Sequence, residues 1–365
     1  LTMVERIEAF VKQLTTTPGL CGAEQRVCEI MKREFAACGI SPRVDAFGNC
    51  LAEIPGTDPD APVLMIFAHM DSLGFVVKYI DEQGFLKLER VGGIPEKALV
   101  NTQVQIGTRS GIYLDGVIGL KSHHLTPPEE KYIVDKYTNL FVDIGAKSRE
   151  EVLDLGIDVG SPVVYKPKFT KLLGTTVLAT YLDDRGGCAA LLELAHTLTK
   201  TSRPSTVWLV ASVLEEYNLR GAMLAARAIR PTMAICLDGG GPHDTPDLQG
   251  TGHLRMGGGP TMDLYNFHGR GTLNGTIAHP AMVRLAEAAS CKLGIPLQRQ
   301  AYVGGLTDLS YVQFENGGIL CLDMGFAVRY CHGPCEVSDL SDIDKLTVVV
   351  AEMANSLSCD TDLSR

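Results

Sequence analysis

The stretch Ala68-His69-Met70-Asp71 sets two metal-binding residue types just beyond an apolar run, and four further stretches repeat the arrangement. They are Leu182-Asp183-Asp184-Arg185, Leu214-Glu215-Glu216-Tyr217, Leu237-Asp238-Gly239 and Tyr330-Cys331-His332. Each preceding run reads as a β-strand. In a wound α/β sheet the carboxyl ends of the strands converge on one crevice, so ligands far apart in sequence can meet there. Two histidines with several carboxylates suit a pair of zinc-like ions sharing one bridging Asp. The pattern predicts a dinuclear metallohydrolase.

Each stretch alone has a plainer reading. A His-x-Asp in a strand puts both side chains on one face, where the Asp can simply orient a structural histidine. Paired acids such as Asp183-Asp184 or Glu215-Glu216 are usually solvated residues at a helix start. Asp238 before three glycines suits a turn, as does His332 before Gly333-Pro334. The joint occurrence at successive strand ends carries the argument. His123, His124, His196, His243, His253, His268 and His279 lack a carboxylate at strand spacing and read as structural or surface residues.

The elements that must position these groups follow from periodicity. Val4, Ile7, Phe10, Val11 and Leu14 recur at helical spacing, and a second helix is expected from about Ala23 to Ala37, stopped by Gly39. A strand from Val63 to Ala68 delivers His69 and Asp71. From Gly74 to about Lys168 the texture changes to short alternating runs punctuated by glycines, the pattern of small antiparallel β structure, with one short helix near Ser148 to Leu155. An α/β rhythm then resumes: strand Thr175 to Tyr181, helix Gly186 to Thr199, strand Thr206 to Val213, helix Gly221 to Ile229 and strand Met233 to Leu237. Helix Pro280 to Leu293, strand Ile319 to Leu322 and helix Asp342 to Leu357 complete it. The expected organisation is a discontinuous α/β domain over 1–70 and 169–365, interrupted by a β domain over 71–168.

Composition excludes several classes. At 365 residues and 45% apolar content the chain can build a sizeable core, and its length favours two domains. The longest apolar stretch is far shorter than the roughly 20 residues a membrane span needs. A net charge of -10, with no Lys/Arg cluster, argues against nucleic acid as a partner. The N-terminal stretch lacks a secretory pattern, so a cytoplasmic location is expected. Eleven cysteines without repeated spacing argue against a disulfide framework, and most read as buried apolar residues.

The set His69-Met70-Asp71-Ser72-Leu73-Gly74-Phe75, Leu182-Asp183-Asp184-Arg185, Glu215-Glu216 with Leu219-Arg220-Gly221-Ala222, and Arg329-Tyr330-Cys331-His332-Gly333-Pro334 resembles the tetrahedral (TET) aminopeptidases. These are the family 42 metallopeptidases, which include glutamyl aminopeptidases and proteins once labelled cellulase M. The likeness continues through Gly116-Val117-Ile118-Gly119 and Asp143-Ile144-Gly145-Ala146-Lys147-Ser148. It implies a mixed, mostly parallel sheet flanked by helices, of zinc-exopeptidase type, with an inserted small barrel-like dimerisation domain. It further implies dimers assembling into a tetrahedral dodecamer and short peptides with a free N-terminus as substrates. By matching motifs, His69 and Asp238 would hold one divalent ion, Glu216 and His332 the other, and Asp183 would bridge. Asp71 would orient His69, and Glu215 would be the general base. Zinc or cobalt is implied, and manganese also suits such ligands.

The chain departs from the family pattern at Tyr217-Asn218 and at Leu306, so the preferred N-terminal residue does not follow from the likeness. Two rivals remain defined. A glycosidase would also use paired acids but leaves His69 and His332 without a role. A non-catalytic assembly or binding homologue would keep the metal ligands without needing Glu215.

Overall fold

A computed structural model describes residues 2–269 and 275–365. Its main sheet has twelve strands. The path runs Arg43–Val44, Cys50–Ile54, Val207–Ser212, Leu64–His69, Met233–Gly240, Leu320–Arg329, Glu336–Asp339, Thr176–Ala179 and Phe169–Lys171. Thr261–Phe267 joins it through Leu320–Arg329 and carries Gly275–Ile277 and Gln298–Val303. Val207–Ser212, Leu64–His69, Met233–Gly240 and Leu320–Arg329 pair in parallel. Glu336–Asp339 is antiparallel both to Leu320–Arg329 and to Thr176–Ala179, which restores the common direction in the latter. Five strands therefore point their carboxyl ends the same way.

Leu64–His69 is buried at every position, as a central parallel strand covered on both faces should be. Its alternate residues serve opposite cores: Leu64, Ile66 and Ala68 meet helices Met3–Thr15, Leu182–Leu198 and Leu340–Ser356, while Met65 and Phe67 meet helix Gly221–Ile229. The first helix starts at a capping box, Thr2 accepting from the Glu5 amide while Glu5 reaches back.

Gly74–Ile80, Leu86–Val91, Val142–Asp143, Tyr113–Ile118, Gln103–Gly107 and Pro162–Tyr165 close, in that spatial order, into a barrel. Phe75, Val77, Leu88, Val104, Ile106 and Val163 fill it as a core of its own. The barrel is fastened to the sheet beside the predicted site. The Tyr165 amide donates to the Tyr181 hydroxyl at 2.6 Å, and the two rings stack 5.8 Å apart. Among the described residues, no helix is long and apolar enough to cross a membrane.

Several elements differ from the sequence reading. The strand expected over Ile319 to Leu322 runs from Leu320 to Arg329, because Asp323, which looks like a strand breaker, is buried and accepts from Thr307 Oγ1 and Asn266 Nδ2. Gly325 extends it where a Cβ would lie 1.9 Å from the Asp238 carbonyl oxygen. Strands Cys50–Ile54, Thr261–Phe267, Gln298–Val303 and Glu336–Asp339 were not anticipated, their apolar patterns being short or broken by polar residues. Asp238 lies inside its strand, Met233–Gly240, rather than after it. All eleven cysteines are free, and five are buried.

Arg185 ties this frame to the N-terminal segment. Its fully buried guanidinium donates to the carbonyls of Leu14 and Thr17 (2.8 and 3.1 Å) and of Gly19 (3.3 Å). The cation thus sits against the carbonyl end of helix Met3–Thr15, where the helix dipole favours it. Arg185→Met keeps most of the volume but strips the cation's donors from all three carbonyls, leaving Leu14 and Gly19 with only their other partners. We expect a loss of about 3 kcal/mol or more, seen as a lowered unfolding midpoint in denaturant.

Candidate active site

All seven residues singled out in the sequence meet at the carboxyl ends of the co-directional strands. His69 closes its strand and Asp238 lies near the end of the adjacent one. Glu215 and Glu216 follow Val207–Ser212, and His332 follows Leu320–Arg329. Asp183 and Asp184 open Leu182–Leu198 with non-helical φ/ψ, so regular helix begins only past them. Asp183 thereby turns into the site, while Asp184 turns inward and accepts from the His69 and Gly187 amides.

Asp183 stands at the centre. Its Oδ1 lies 3.1 Å from His69 Nε2 and its Oδ2 lies 3.3 Å from His332 Nε2. Glu215 Oε2 comes within 3.8 Å of His69 Nε2, and Glu216 Oε1 within 3.8 Å of His332 Nε2. Donor atoms of His69, Asp183 and Asp238 lie within 4.8 Å of one another, as do those of Asp183, Cys331 and His332. Two groups of three with a common carboxylate are what a pair of ions would need.

The far sides of the rings are also occupied. His69 Nδ1 lies 3.1 Å from the Asp71 carbonyl oxygen and 3.6 Å from Asp71 Oδ1. His332 Nδ1 lies 2.6 Å from the Gly93 carbonyl oxygen. A proton on each Nδ1 is held by these carbonyl groups, while each Nε2 proton is donated to Asp183; on giving up that Nε2 proton each ring has the tautomer a metal-binding histidine requires. Asp71 also accepts from the Glu215 and Glu216 amides (3.1 and 3.0 Å), which fixes both acids to the His69 strand.

Residues 48–348 match the M42 glutamyl aminopeptidase family. The chain belongs to the M42 peptidases. It is accordingly a hydrolase acting on peptide bonds. SgcX of Escherichia coli K12 is 38% identical to this M42 chain over 339 residues, covering 92% of it and 90% of SgcX. Lysyl aminopeptidase of Pyrococcus furiosus is 30% identical over 339 residues, covering 92% and 93% respectively. Among solved structures, an aminopeptidase of Desulfurococcus kamchatkensis superposes with a TM-score of 0.91 at 29% identity, over 98% of this chain and 96% of that one. The TET1 peptidase of Pyrococcus horikoshii, which assembles into a tetrahedron or a large octahedral shell, superposes at 0.84 and 30% identity, over 98% and 100%.

Electrostatics of the M42 site favour cations. Burial pushes the Glu216 carboxyl to about 7, against the opposing pull of His332. Burial also drives Glu215 and Asp238 well above the ordinary range, and like charges nearby add to the rise. At Asp183 burial works in the same direction, but the hydrogen bonds and charges of His332 and His69 outweigh it and hold that carboxyl low. His332 is raised to about 10: burial opposes its charge, and Asp183 and Glu216 overcome that. Among the described residues, Asp183, Glu215 and Glu216 form ion pairs with His69 and His332 alone. Crowded carboxylates with so little positive charge fit divalent ions.

Two contributors escaped the sequence reading. Glu336 is buried and accepts from the Asp183 amide at 3.0 Å and the His332 amide at 2.7 Å, so one carboxylate sets the backbone of both. No sequence signal marks it, because both of its partners are backbone amides. Gly92, from the barrel, lies where a Cβ would meet Glu216 Oε2 at 2.9 Å and Leu73 Cβ at 2.8 Å, with φ of +85°. Glu336→Ala should weaken divalent-ion affinity about 10- to 100-fold, read by calorimetric titration of chelator-stripped protein whose circular dichroism is unchanged.

Proposed function

We propose that this M42 chain is a dinuclear metal-dependent aminopeptidase that removes the N-terminal residue from short peptides. The observation that carries the reading is the division of the Asp183 oxygens between two imidazoles, at 3.1 and 3.3 Å. His69 and Asp238 would hold one ion, Glu216 and His332 the other, with Asp183 common to both. Zinc or cobalt suits the mixed nitrogen and oxygen donors best, and manganese is compatible. Such ions, when bound, lower the pKa of a shared water and polarise the scissile carbonyl.

The chain's own groups do the proton work. Glu215 takes the proton from the attacking water and returns it to the departing amine. Burial and its acidic neighbours raise its proton affinity, against which bound divalent ions would act. Asp71 fixes the Glu215 amide and the His69 ring together, keeping the base beside the ion pair. A peptide's free amine would be drawn to the surplus of carboxylates here, which accounts for cleavage at the first residue.

We also propose that 71–168 forms an assembly domain through which copies associate into dimers and a dodecamer. The connection between Tyr113–Ile118 and Val142–Asp143 exposes Leu125, Tyr132 and Ile133, and its Leu120, Tyr132, Ile133 and Val134 help line a recess of about 640 Å³. Apolar patches of this kind mark interaction surfaces. A chain with eleven free cysteines suits the cytoplasm.

Amino-acid release from unblocked and N-acetylated short peptides tests the activity. Cleavage of the unblocked peptides alone, abolished by chelation and restored by zinc or cobalt, is expected. Glu215→Gln should lower kcat by about 10²- to 10⁴-fold with metal content unchanged. Cleavage of acetylated peptides, or activity indifferent to chelation, would count against the reading. Light scattering should give a mass far above one chain, falling when Tyr132 and Ile133 are both changed to Asp.

A further inference from the structure

Cys331 has no part in the reaction described above, yet its sulfur points into the site. Cys331 Sγ lies 2.9 Å from Asp183 Oδ2, the same oxygen that lies 3.3 Å from His332 Nε2. Neighbouring residues in an extended chain face opposite ways. Here the residues on either side, Tyr330 and His332, both take positive φ (61° and 67°), a conformation that side chains other than glycine's disfavour. The Gly333 amide closes the turn on the Tyr330 carbonyl at 3.0 Å. The result is that a thiol and an imidazole one residue apart converge on one carboxylate oxygen.

Tetrahedral zinc, with bonds of about 2.0 Å to N or O and about 2.3 Å to S, places N and O ligands about 3.3 Å apart and S and O ligands about 3.5 Å apart. The His332–Asp183 separation already matches. The sulfur needs to withdraw by only about 0.6 Å, which a small side-chain rotation supplies.

We infer that Cys331 is a sulfur ligand to the ion held by His332, Glu216 and Asp183, the shared water then being a fifth ligand on that side. The inference rests on the metal-site reading proposed above. On coordination the S–H bond breaks, a sulfur–metal bond forms, and the proton leaves to solvent; no electrons are transferred. The two half-sites then differ in softness. His69 and Asp238 supply nitrogen and oxygen only, whereas the His332 side adds a thiolate, which selects zinc-like or cadmium-like ions over manganese or magnesium. One molecule would thus hold a thiophilic ion permanently beside a more exchangeable one.

Cobalt and cadmium titrations of the chelator-stripped full chain test this, read by absorption rather than turnover. Cys335, whose Sγ lies 3.0 Å from Lys168 Nζ, supplies the control. Sulfur-to-metal charge-transfer absorption should appear in the unmodified chain and in Cys335→Ser, and vanish in Cys331→Ser and Cys331→Ala. The visible cobalt bands should survive in every variant. Cobalt bands without charge transfer in the unmodified chain would overturn the inference while leaving the metal site standing. Charge transfer that persists in both Cys331 variants would overturn it by assigning another thiol. Absence of any cobalt signal would overturn the metal site and the inference together.

Discussion

A carboxylate removed from water costs several kcal/mol unless charge or hydrogen bonds meet it, and this site gathers many within one cleft. Asp183 is met on both oxygens by imidazoles, and its own amide is taken up by Glu336. Asp184 finds two amides and Asp71 another two. Glu215, Glu216 and Asp238 are left with the least compensation, and they surround the Asp183 oxygens. The cluster is therefore poised for cations, and the surrounding architecture can be understood as what holds these groups together against their mutual repulsion.

That architecture draws on both parts of the chain. The parallel block of the sheet supplies strand ends, but the backbone must still turn sharply to aim each side chain. Tyr181, Leu214, Tyr330 and His332 all take positive φ at the points where chain enters or leaves the site. Conformations of this kind are retained where surrounding structure over-determines them, and they concentrate at functional sites. The barrel contributes as well. Gly92, at φ of +85°, lies where a Cβ would crowd Leu73 Cβ and the Glu216 carboxylate, and the Gly93 carbonyl holds the His332 ring. Tyr165, stacked on Tyr181, anchors the barrel two residues away from Asp183. A displacement of the barrel would thus be felt directly at His332.

Membership of the M42 peptidases gives this geometry its chemical setting, and the residues of this chain give it detail. Asp71 serves the His69 ring through its carbonyl and the Glu215 and Glu216 amides through its carboxylate, so one residue links the ring to both acids. Tyr217, one residue beyond Glu216, is half exposed and stacked beneath the Arg220 guanidinium at 4.7 Å. Its side chain therefore lies on the surface beside the site.

Local pattern was enough to bring the site's side chains to one crevice and to read the main layers. His69, Asp71, Asp183, Glu215, Glu216, Asp238 and His332 were legible because each follows or ends an apolar run, and burial of a strand on both faces is written directly in its hydrophobicity. The first helix, the helix after Asp184 and the closing helix were legible from spacing of the same kind. What a residue touches across the fold leaves no such trace. Glu336 looked like an ordinary polar residue, since its two partners, the Asp183 and His332 amides, are backbone groups that any sequence carries. The strand through Asp323 and Gly325 was hidden because its polar and glycine positions make sense only against Thr307, Asn266 and the Asp238 carbonyl. The approach of Gly92 to Glu216, and the turn that brings Cys331 alongside His332, were likewise decided by tertiary packing, because contacts between distant segments depend on where the chain returns rather than on local periodicity.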